Sequence, residues 1–196
     1  GLPVDQLVIA TNCNDILHRC ISSNDHSKKP LQHSLSPSMD IMVSSNFERM
    51  LFDLYDRDGA KIQQMMAHFK ETGELVLEPA ALQKAQGLFS SYRLSDEETV
   101  AVIGEVFDST EYLLDPHTAI GVQAARKTRR SPDVPMICLA TAHPAKFPDA
   151  VRQAGQAADP QLPHHMQDLL SRPERCEVLA DDLAELKQFI SRNIRA

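Results

Sequence analysis

Short apolar runs that end in clusters of polar residues constrain the fold of this chain most strongly. They lie at 7–10 (LVIA), 39–44 (MDIMVS) and 136–140 (MICLA), and helical periodicity follows each of them. Apolar runs of this length, bounded by turn residues, are typical of buried strands. Because strands alternate with helices, the sequence predicts an α/β fold in which a parallel sheet is flanked by helices.

Periodicity and capping residues predict the helices. In 44–56 apolar residues recur every three or four positions, with Ser44 or Ser45 as the cap. A helix over 11–21 takes Asn12 or Asn14 as its cap. Further helices are predicted over 60–73 (ending at Gly73), 78–94 (with Pro79 in its first turn), 95–110 (with a capping box of Ser95 and Glu98), 117–130, 147–156 and 181–194.

Charge and cysteine content exclude several classes of function. The formal net charge of −7 argues against nucleic acid as a partner. No apolar run approaches the roughly 18 residues of a membrane span, so no membrane partner is expected. The four cysteines form no C-x-x-C pair, so neither a zinc site nor a disulfide framework is predicted, and no metal is expected. Reduced cysteines suit the cytoplasm, which is the expected location.

The opening of the chain is unusual. It begins at Gly1 without a methionine, and the first apolar run starts only six residues later, at Leu7. A strand inside a parallel sheet takes neighbours on both sides. We therefore expect this chain to be a piece of a longer protein.

Chemically useful side chains follow the last apolar run. Thr141, His143 and Lys146 come directly after 136–140, and ligands of open α/β sheets bind at the carboxyl ends of strands. Each such group also has a structural explanation: serine and asparagine before a helix are usually caps, and a histidine such as His117 or His143 is more often a hydrogen-bonded structural residue than a catalyst.

Taken together, several segments resemble threonine synthases of the longer bacterial and fungal type. These are LSPSMDIMVSSNFERMLFDL (35–54), DPHTAIGV (115–122) and TAHPAKFPDAV (141–151), and the closing segment 162–190 is similar to the C-terminal end of that family. The resemblance covers essentially the whole chain. The sequence departs from the family pattern at Cys13, where an acidic residue is expected.

The resemblance implies an enzyme of the tryptophan-synthase-β-like fold (fold type II) that uses pyridoxal 5'-phosphate. Such an enzyme converts O-phosphohomoserine and water to threonine and phosphate. Residues 1–196 would be the C-terminal part of the cofactor-binding large domain, with a helical insertion at about 59–110 and a helical extension at about 160–196. The Schiff-base lysine and the phosphate-binding glycine loop of the family have no match here. No catalytic residue is therefore assigned, and the isolated chain is expected to be inactive.

The resemblance also implies site residues. Thr141 matches a hydroxyl that donates a hydrogen bond to the pyridine nitrogen of the cofactor. His143 and Lys146 are expected to meet an anionic group of the substrate. The remaining matches lie near the site without an individual role: Ser36, Ser38, Asp40, Asp115 and His117.

Two alternatives stay open. One is a related lyase that acts on another phosphorylated amino acid. The other is a homologue without catalytic activity, acting as an interaction module. The expected partner is the small-molecule substrate, and self-association is expected for the isolated chain because a parallel sheet without its neighbours exposes a strand edge.

Overall fold

The computed structural model describes residues 3–156 and 159–194 and divides the chain into two units, Gly1–Pro160 and Gln161–Ala196. The helices and strands of the first unit are β1 (Leu7–Thr11), α1 (Ile16–Ser23), α2 (Phe47–Leu54), α3 (Gly59–Thr72), α4 (Pro79–Leu88), β2 (Phe89–Arg93), α5 (Asp96–Thr110), α6 (Pro116–Thr128) and α7 (Pro148–Gln153). The second unit contains α8 (Leu183–Asn193). Short 3₁₀ turns are Pro37–Met39, Pro144–Lys146, His164–Met166 and Leu169–Ser171.

The sheet of the first unit is small and parallel. β1 pairs with β2 in register from Leu7 opposite Phe89 to Thr11 opposite Arg93, and helices α1 and α6 both pack against these strands. The predicted α/β class is therefore confirmed. In the described ranges 3–156 and 159–194, no helix is both long and apolar enough to cross a bilayer.

The helix predicted over 78–94 is wrong for residues 89–94. α4 ends at Leu88, and Phe89 adopts an extended conformation with φ −101° and ψ 139°. The residues that follow pair with β1, so a long-range backbone pairing overrides the local helical pattern. The helical insertion predicted at 59–110 accordingly contains a strand of the sheet.

The strand predicted over 39–44 does not form. A 3₁₀ turn occupies Pro37–Met39, and the carboxylate of Asp40 accepts hydrogen bonds from Asn12 and Asn14. Side-chain bonding of an aspartate to nearby polar groups competes with strand pairing, which explains why this apolar run forms a turn and an irregular segment.

The strand predicted over 136–140 is also absent. Within the described part of the chain the sheet contains β1 and β2, and 136–140 pairs with neither strand. Ile137 and Leu139 are 82% and 75% exposed. The segment instead runs beside α6, with Cys138 Sγ 4.0 Å from the carbonyl oxygen of Gly121.

Two apolar clusters form the core of the first unit. One joins α1–α4 and has Leu51 completely buried at its centre. The other joins α5, α6 and α7 through residues such as Ile103, Ile120 and Ala150. Burial of each large aliphatic side chain stabilises the fold by roughly 1.5–3 kcal/mol. The second cluster supports the polar residues described below.

Several predicted helix ends are confirmed. Gly73 ends α3 with a positive φ of 77°, Pro79 lies in the first turn of α4, and Ser95 with Glu98 forms the predicted capping box of α5. The other cap predictions are wrong. Asp15 rather than Asn12 or Asn14 precedes α1, and Asn46 rather than Ser44 or Ser45 precedes α2.

His26 is an unusual member of the first core region. Its ring stacks on Phe47 at 4.8 Å and lies 4.9 Å from Phe69. The residue is 2% exposed, and neither ring nitrogen has a hydrogen-bond partner among the residues that the structure describes. Burial, together with the positive charge of Arg19, lowers the pKa of His26 to about 4, and the negative charge of Asp25 opposes this shift.

Because the buried His26 imidazole has a lowered pKa, the free energy of unfolding is expected to fall in acid. The unfolded chain takes up a proton near pH 6.5 and the folded chain only near pH 4. The contribution of His26 is therefore complete above pH 6.5 and is lost as the pH falls towards 4, by on the order of 3 kcal/mol. His26→Phe, which keeps the stacked ring, should flatten this part of the pH dependence of the free energy of unfolding.

Urea unfolding between pH 7.5 and 4.5 measures the effect. The control His68→Gln changes an exposed histidine of α3 and should keep the pH dependence of the unsubstituted chain. Equal pH slopes for His26→Phe and the unsubstituted chain would contradict the prediction.

Candidate functional site

A buried amide network lies at the carboxyl end of β1. The side-chain amide nitrogen of Asn12 lies 2.8 Å from Asp40 Oδ1 and 3.0 Å from Ser36 Oγ. That of Asn14 donates to the same carboxylate at 3.0 Å, and Ser34 Oγ does so at 2.6 Å. Asn12, Asn14 and Ser36 are all at most 2% exposed. The network therefore fixes the loop that contains Ser36 and Asp40 against the end of β1.

A second network is centred on the Asp115 carboxylate, which is 1% exposed. As the cap of α6, this carboxylate accepts hydrogen bonds from the backbone N–H groups of His117, at 2.9 Å, and Thr118, at 3.4 Å. It also accepts from His117 Nδ1 at 2.9 Å and from the Thr118 hydroxyl. Four donors thus compensate the burial of the charge.

His117 connects this carboxylate to the turn at residues 37–39. The backbone N–H of Ser38 donates to His117 Nε2 at 3.2 Å. Both bonds are satisfied when Nδ1 carries the proton, donating to Asp115, and Nε2 accepts. The imidazole also packs against the ring of Phe147 at 4.5 Å. These bonds use both ring nitrogens, so His117 holds its neighbours in place.

Thr118 connects the same carboxylate to the segment after 136–140. Its hydroxyl donates to Asp115 and accepts the backbone N–H of Thr141 at 3.1 Å. The Thr141 side chain is exposed, and within the described residues its hydroxyl makes no hydrogen bond. The Thr141 backbone is therefore tied down while its hydroxyl is free to meet a ligand.

A cavity of about 180 Å³ lies beside the hydrogen bond between Thr118 and Thr141. It is lined by Tyr112, Leu113, Leu114, Asp115, Thr118, Ala140, Ala142, His143 and Pro144. Sites for cofactors and drug-sized ligands usually enclose roughly 300–1,000 Å³. The cavity is therefore too small for a whole cofactor and can form one wall of a larger site. A larger cavity of about 380 Å³ beside Phe69 and Lys70 contains none of the predicted site residues.

His143 and Lys146 lie in the turn that follows Thr141. The backbone N–H of Ala145 donates to His143 Nδ1 at 3.2 Å, and Lys146 Nζ lies 5.8 Å from the centre of the Phe147 ring. Both side chains are exposed. They are close to the second network, and their charged or donor atoms remain accessible to an anion.

Cys13 lies between the two asparagines of the first network. Burial raises the pKa of its thiol, and the negative charges of Asp96 and Asp40 raise it further. The protonated thiol is the poorly nucleophilic form. Cys13 is therefore not assigned a nucleophilic role.

Comparison with known proteins connects this geometry to a family. A family model described as "Threonine synthase, C-terminal" matches residues 118–190. Threonine synthase from Pseudomonas aeruginosa is 54% identical over 193 residues, covering 98% of this chain and 41% of that protein. The crystal structure of PLP-bound threonine synthase from Brucella melitensis matches 100% of this chain with a TM-score of 0.90 at 44% identity.

The chain belongs to the threonine synthase family. The yeast threonine synthase structure also matches, with a TM-score of 0.84 at 32% identity over 97% of this chain. The chain spans about 40% of the length of these relatives, namely 41% of the Pseudomonas protein and 42% of each solved chain.

The three segments that resemble threonine synthases all contribute to the two networks. Asp40 and Ser36 belong to the first network, and Asp115 and His117 to the second. Ser38 contributes through its backbone, since its side chain is exposed. The structure thus brings together the predicted residues around the two networks, although their roles stay predictions.

Sequence reasoning does not identify three buried residues of the site: Asn12 and Asn14, which it predicts only as helix caps, and Thr118. The position of the asparagines directly after an apolar run was the available signal. Thr118 gave no comparable signal, because its bond to Thr141 joins residues 23 positions apart.

The second network predicts an unusually large cost for loss of Asp115. Asp115→Ala leaves four donors without their acceptor, most of them buried, and should lower the free energy of unfolding by roughly 2–4 kcal/mol. The matched control is Asp58→Ala, which removes the exposed cap of α3, whose carboxylate accepts from the backbone N–H of Lys61 at 3.0 Å. The control should cost about 1 kcal/mol.

Chemical denaturation of both variants provides the comparison. Equal losses would show that the Asp115 network contributes no more than an ordinary helix cap.

Proposed function

We propose that the protein to which this chain belongs is a threonine synthase that converts O-phosphohomoserine and water to threonine and phosphate with pyridoxal 5'-phosphate as cofactor. In this proposal, residues 1–196 are the C-terminal part of the cofactor-binding domain. Residues 160–196 form a helical extension. The proposed helical insertion spans about 59–110, apart from β2, which belongs to the sheet.

One observation carries the proposal: the Thr141 backbone is tied to a buried network while its side chain is exposed. An exposed hydroxyl held at a fixed position suits the pyridine nitrogen of the cofactor, because it donates a hydrogen bond to a neutral nitrogen. The small adjacent cavity suits one wall of such a site. The residues present therefore fit the cofactor.

Bound pyridoxal phosphate would draw electrons from the substrate carbons and so allow the γ-phosphate to leave. The task of Thr141 would be to donate a hydrogen bond from its hydroxyl to the ring nitrogen and so orient the ring. His117 keeps the wall rigid because it bonds both to Asp115 at the start of α6 and to the backbone of Ser38 in the turn at 37–39. Rigid placement of reacting groups is worth a large part of a catalytic barrier.

The proposed contacts of the substrate lie in the turn after Thr141. Its carboxylate and phosphate are anions. His143 lines the cavity, and the side chains of His143 and Lys146 are both exposed in this turn. Charged donors bind carboxylate and phosphate through short, strong hydrogen bonds. Ser36, Ser38 and Asp40 are proposed to support the site from the loop fixed by the first network.

We also propose a cytoplasmic location and a small-molecule substrate as the partner, with neither nucleic acid nor membrane binding. All four cysteines are free, which suits a reducing compartment. The negative charge of the chain disfavours nucleic acid.

Activity of the full-length protein tests the function directly. With pyridoxal phosphate bound, it should release phosphate and form threonine from O-phosphohomoserine, with O-phosphoserine as a comparison substrate. Thr141→Val should lower kcat by roughly 5- to 150-fold, the equivalent of losing one hydrogen bond worth about 1–3 kcal/mol.

Three results would contradict this prediction in different ways. Preference for another phosphorylated amino acid favours the related lyase, and no turnover of either substrate favours a homologue without catalytic activity. Normal turnover by Thr141→Val, with an unchanged absorption spectrum of the bound cofactor, would remove Thr141 from the site.

The isolated chain is proposed to self-associate through 136–140. Ile137 and Leu139 expose most of their surface on a segment without strand partners among the described residues, and exposed apolar surface of this kind promotes association. Leu139→Lys should therefore shift the chain towards the monomer in sedimentation velocity. The control Val76→Lys changes another exposed residue, 68% accessible, outside this segment.

The shift towards the monomer should be larger for Leu139→Lys than for Val76→Lys. A monomeric unsubstituted chain, or an equal shift for Val76→Lys, would contradict association through 136–140.

A further inference from the structure

We infer that Thr118 is a positioning residue for Thr141, and that the Asp115 carboxylate fixes the Thr118 hydroxyl in the orientation that this task requires. The inference deepens the proposed function and rests on it, since it gives a reason why the Thr141 hydroxyl faces a cofactor at a defined position. Thr118 itself is 5% exposed, and no contact with the cofactor or substrate is proposed for it.

The direction of the hydrogen bonds carries the inference. A threonine hydroxyl has one proton and two lone pairs. The Thr118 hydroxyl donates its one hydrogen bond to Asp115 Oδ2. A lone pair on Thr118 Oγ1 therefore remains to accept the backbone N–H of Thr141 at 3.1 Å. A hydroxyl that donated elsewhere would turn its lone pairs away from this N–H.

Asp115 cannot easily turn away from Thr118. Its other oxygen accepts from the backbone N–H and the Nδ1 of His117, each at 2.9 Å. His117 is held in turn by the Ser38 backbone and by Phe147. The orientation of the Thr118 hydroxyl is therefore set by groups from three parts of the first unit.

The hydrogen bond between the Thr118 hydroxyl and the Thr141 N–H is important because no strand of the described structure pairs with the segment before Thr141. Residues 136–140 make no strand pairing within the described ranges, and the contact of Cys138 Sγ with Gly121 is long, at 4.0 Å. The Thr118 bond lies at the end of this loosely held segment, next to the residue whose hydroxyl is proposed to act.

Three substitutions separate positioning from packing. Thr118→Val keeps the shape and removes the hydroxyl, whereas Thr118→Ser keeps the hydroxyl. The matched control Thr128→Val lies on the same helix, where the hydroxyl donates only to the Ala124 carbonyl of its own helix. If Thr118→Val fails to fold, Thr118→Cys keeps a donor for Asp115 and offers only a weak acceptor to Thr141.

Amide hydrogen exchange of Thr141 in this chain is the first readout and requires no cofactor. Thr118→Val, or Thr118→Cys in its place, should raise the exchange rate of the Thr141 N–H about tenfold. Thr118→Ser and Thr128→Val should leave it within about twofold of the unsubstituted chain. Unchanged exchange in the variant without the hydroxyl would overturn the inference.

The second readout uses the full-length protein with pyridoxal phosphate bound. The variant without the Thr118 hydroxyl should shift the absorption band of the cofactor and lower kcat at least fivefold with little change in KM, and Thr118→Ser should restore both. If Thr141→Val changes kcat and the spectrum but Thr118→Val changes neither, positioning by Thr118 is wrong and the proposed function stands. If Thr141→Val changes neither, the proposed role of Thr141 fails, and the exchange rates still decide whether Thr118 holds the Thr141 backbone.

Discussion

The buried carboxylate of Asp115 is the interaction on which the rest of the candidate site depends. A charge removed from water is tolerated only where donors replace its hydration, and here two backbone N–H groups, an imidazole and a hydroxyl do so. Satisfying this one group fixes the start of α6, the tautomer of His117 and the hydroxyl of Thr118. Through them it fixes the turn at Ser38 and the backbone of Thr141.

Sequence reasoning succeeded where structure depends on near neighbours. The capping box of Ser95 and Glu98 and the stop at Gly73 involve residues within one helical turn, so the sequence displays them directly. It failed for β2, because Phe89–Arg93 becomes a strand only by pairing with β1, far away along the chain. It failed again at 136–140, whose apolar residues have the pattern of a buried strand while the described structure gives them no partner.

In the candidate site, too, sequence reasoning identifies some residues and does not identify those whose role depends on long-range contacts. Resemblance to threonine synthases selected Asp115, His117 and Thr141, and the structure connects all three through hydrogen bonds. It did not select Thr118, which makes that connection, because a threonine inside a helix has no distinguishing sequence pattern. Asn12 and Asn14 were taken for helix caps, whereas their buried amides hold the Asp40 carboxylate. Such long-range side-chain bonds depend on how the elements pack.

We propose that a buried network holds the backbone of Thr141 so that its hydroxyl meets the ring nitrogen of pyridoxal phosphate. A crystal structure of the full-length protein with the cofactor bound tests it most directly, through the distance between Thr141 Oγ1 and the pyridine nitrogen. We expect a hydrogen bond of about 2.7–3.2 Å between these two atoms, with the Thr118 hydroxyl still accepting the Thr141 N–H. A distance beyond about 4 Å, or a different residue at the nitrogen, would contradict it.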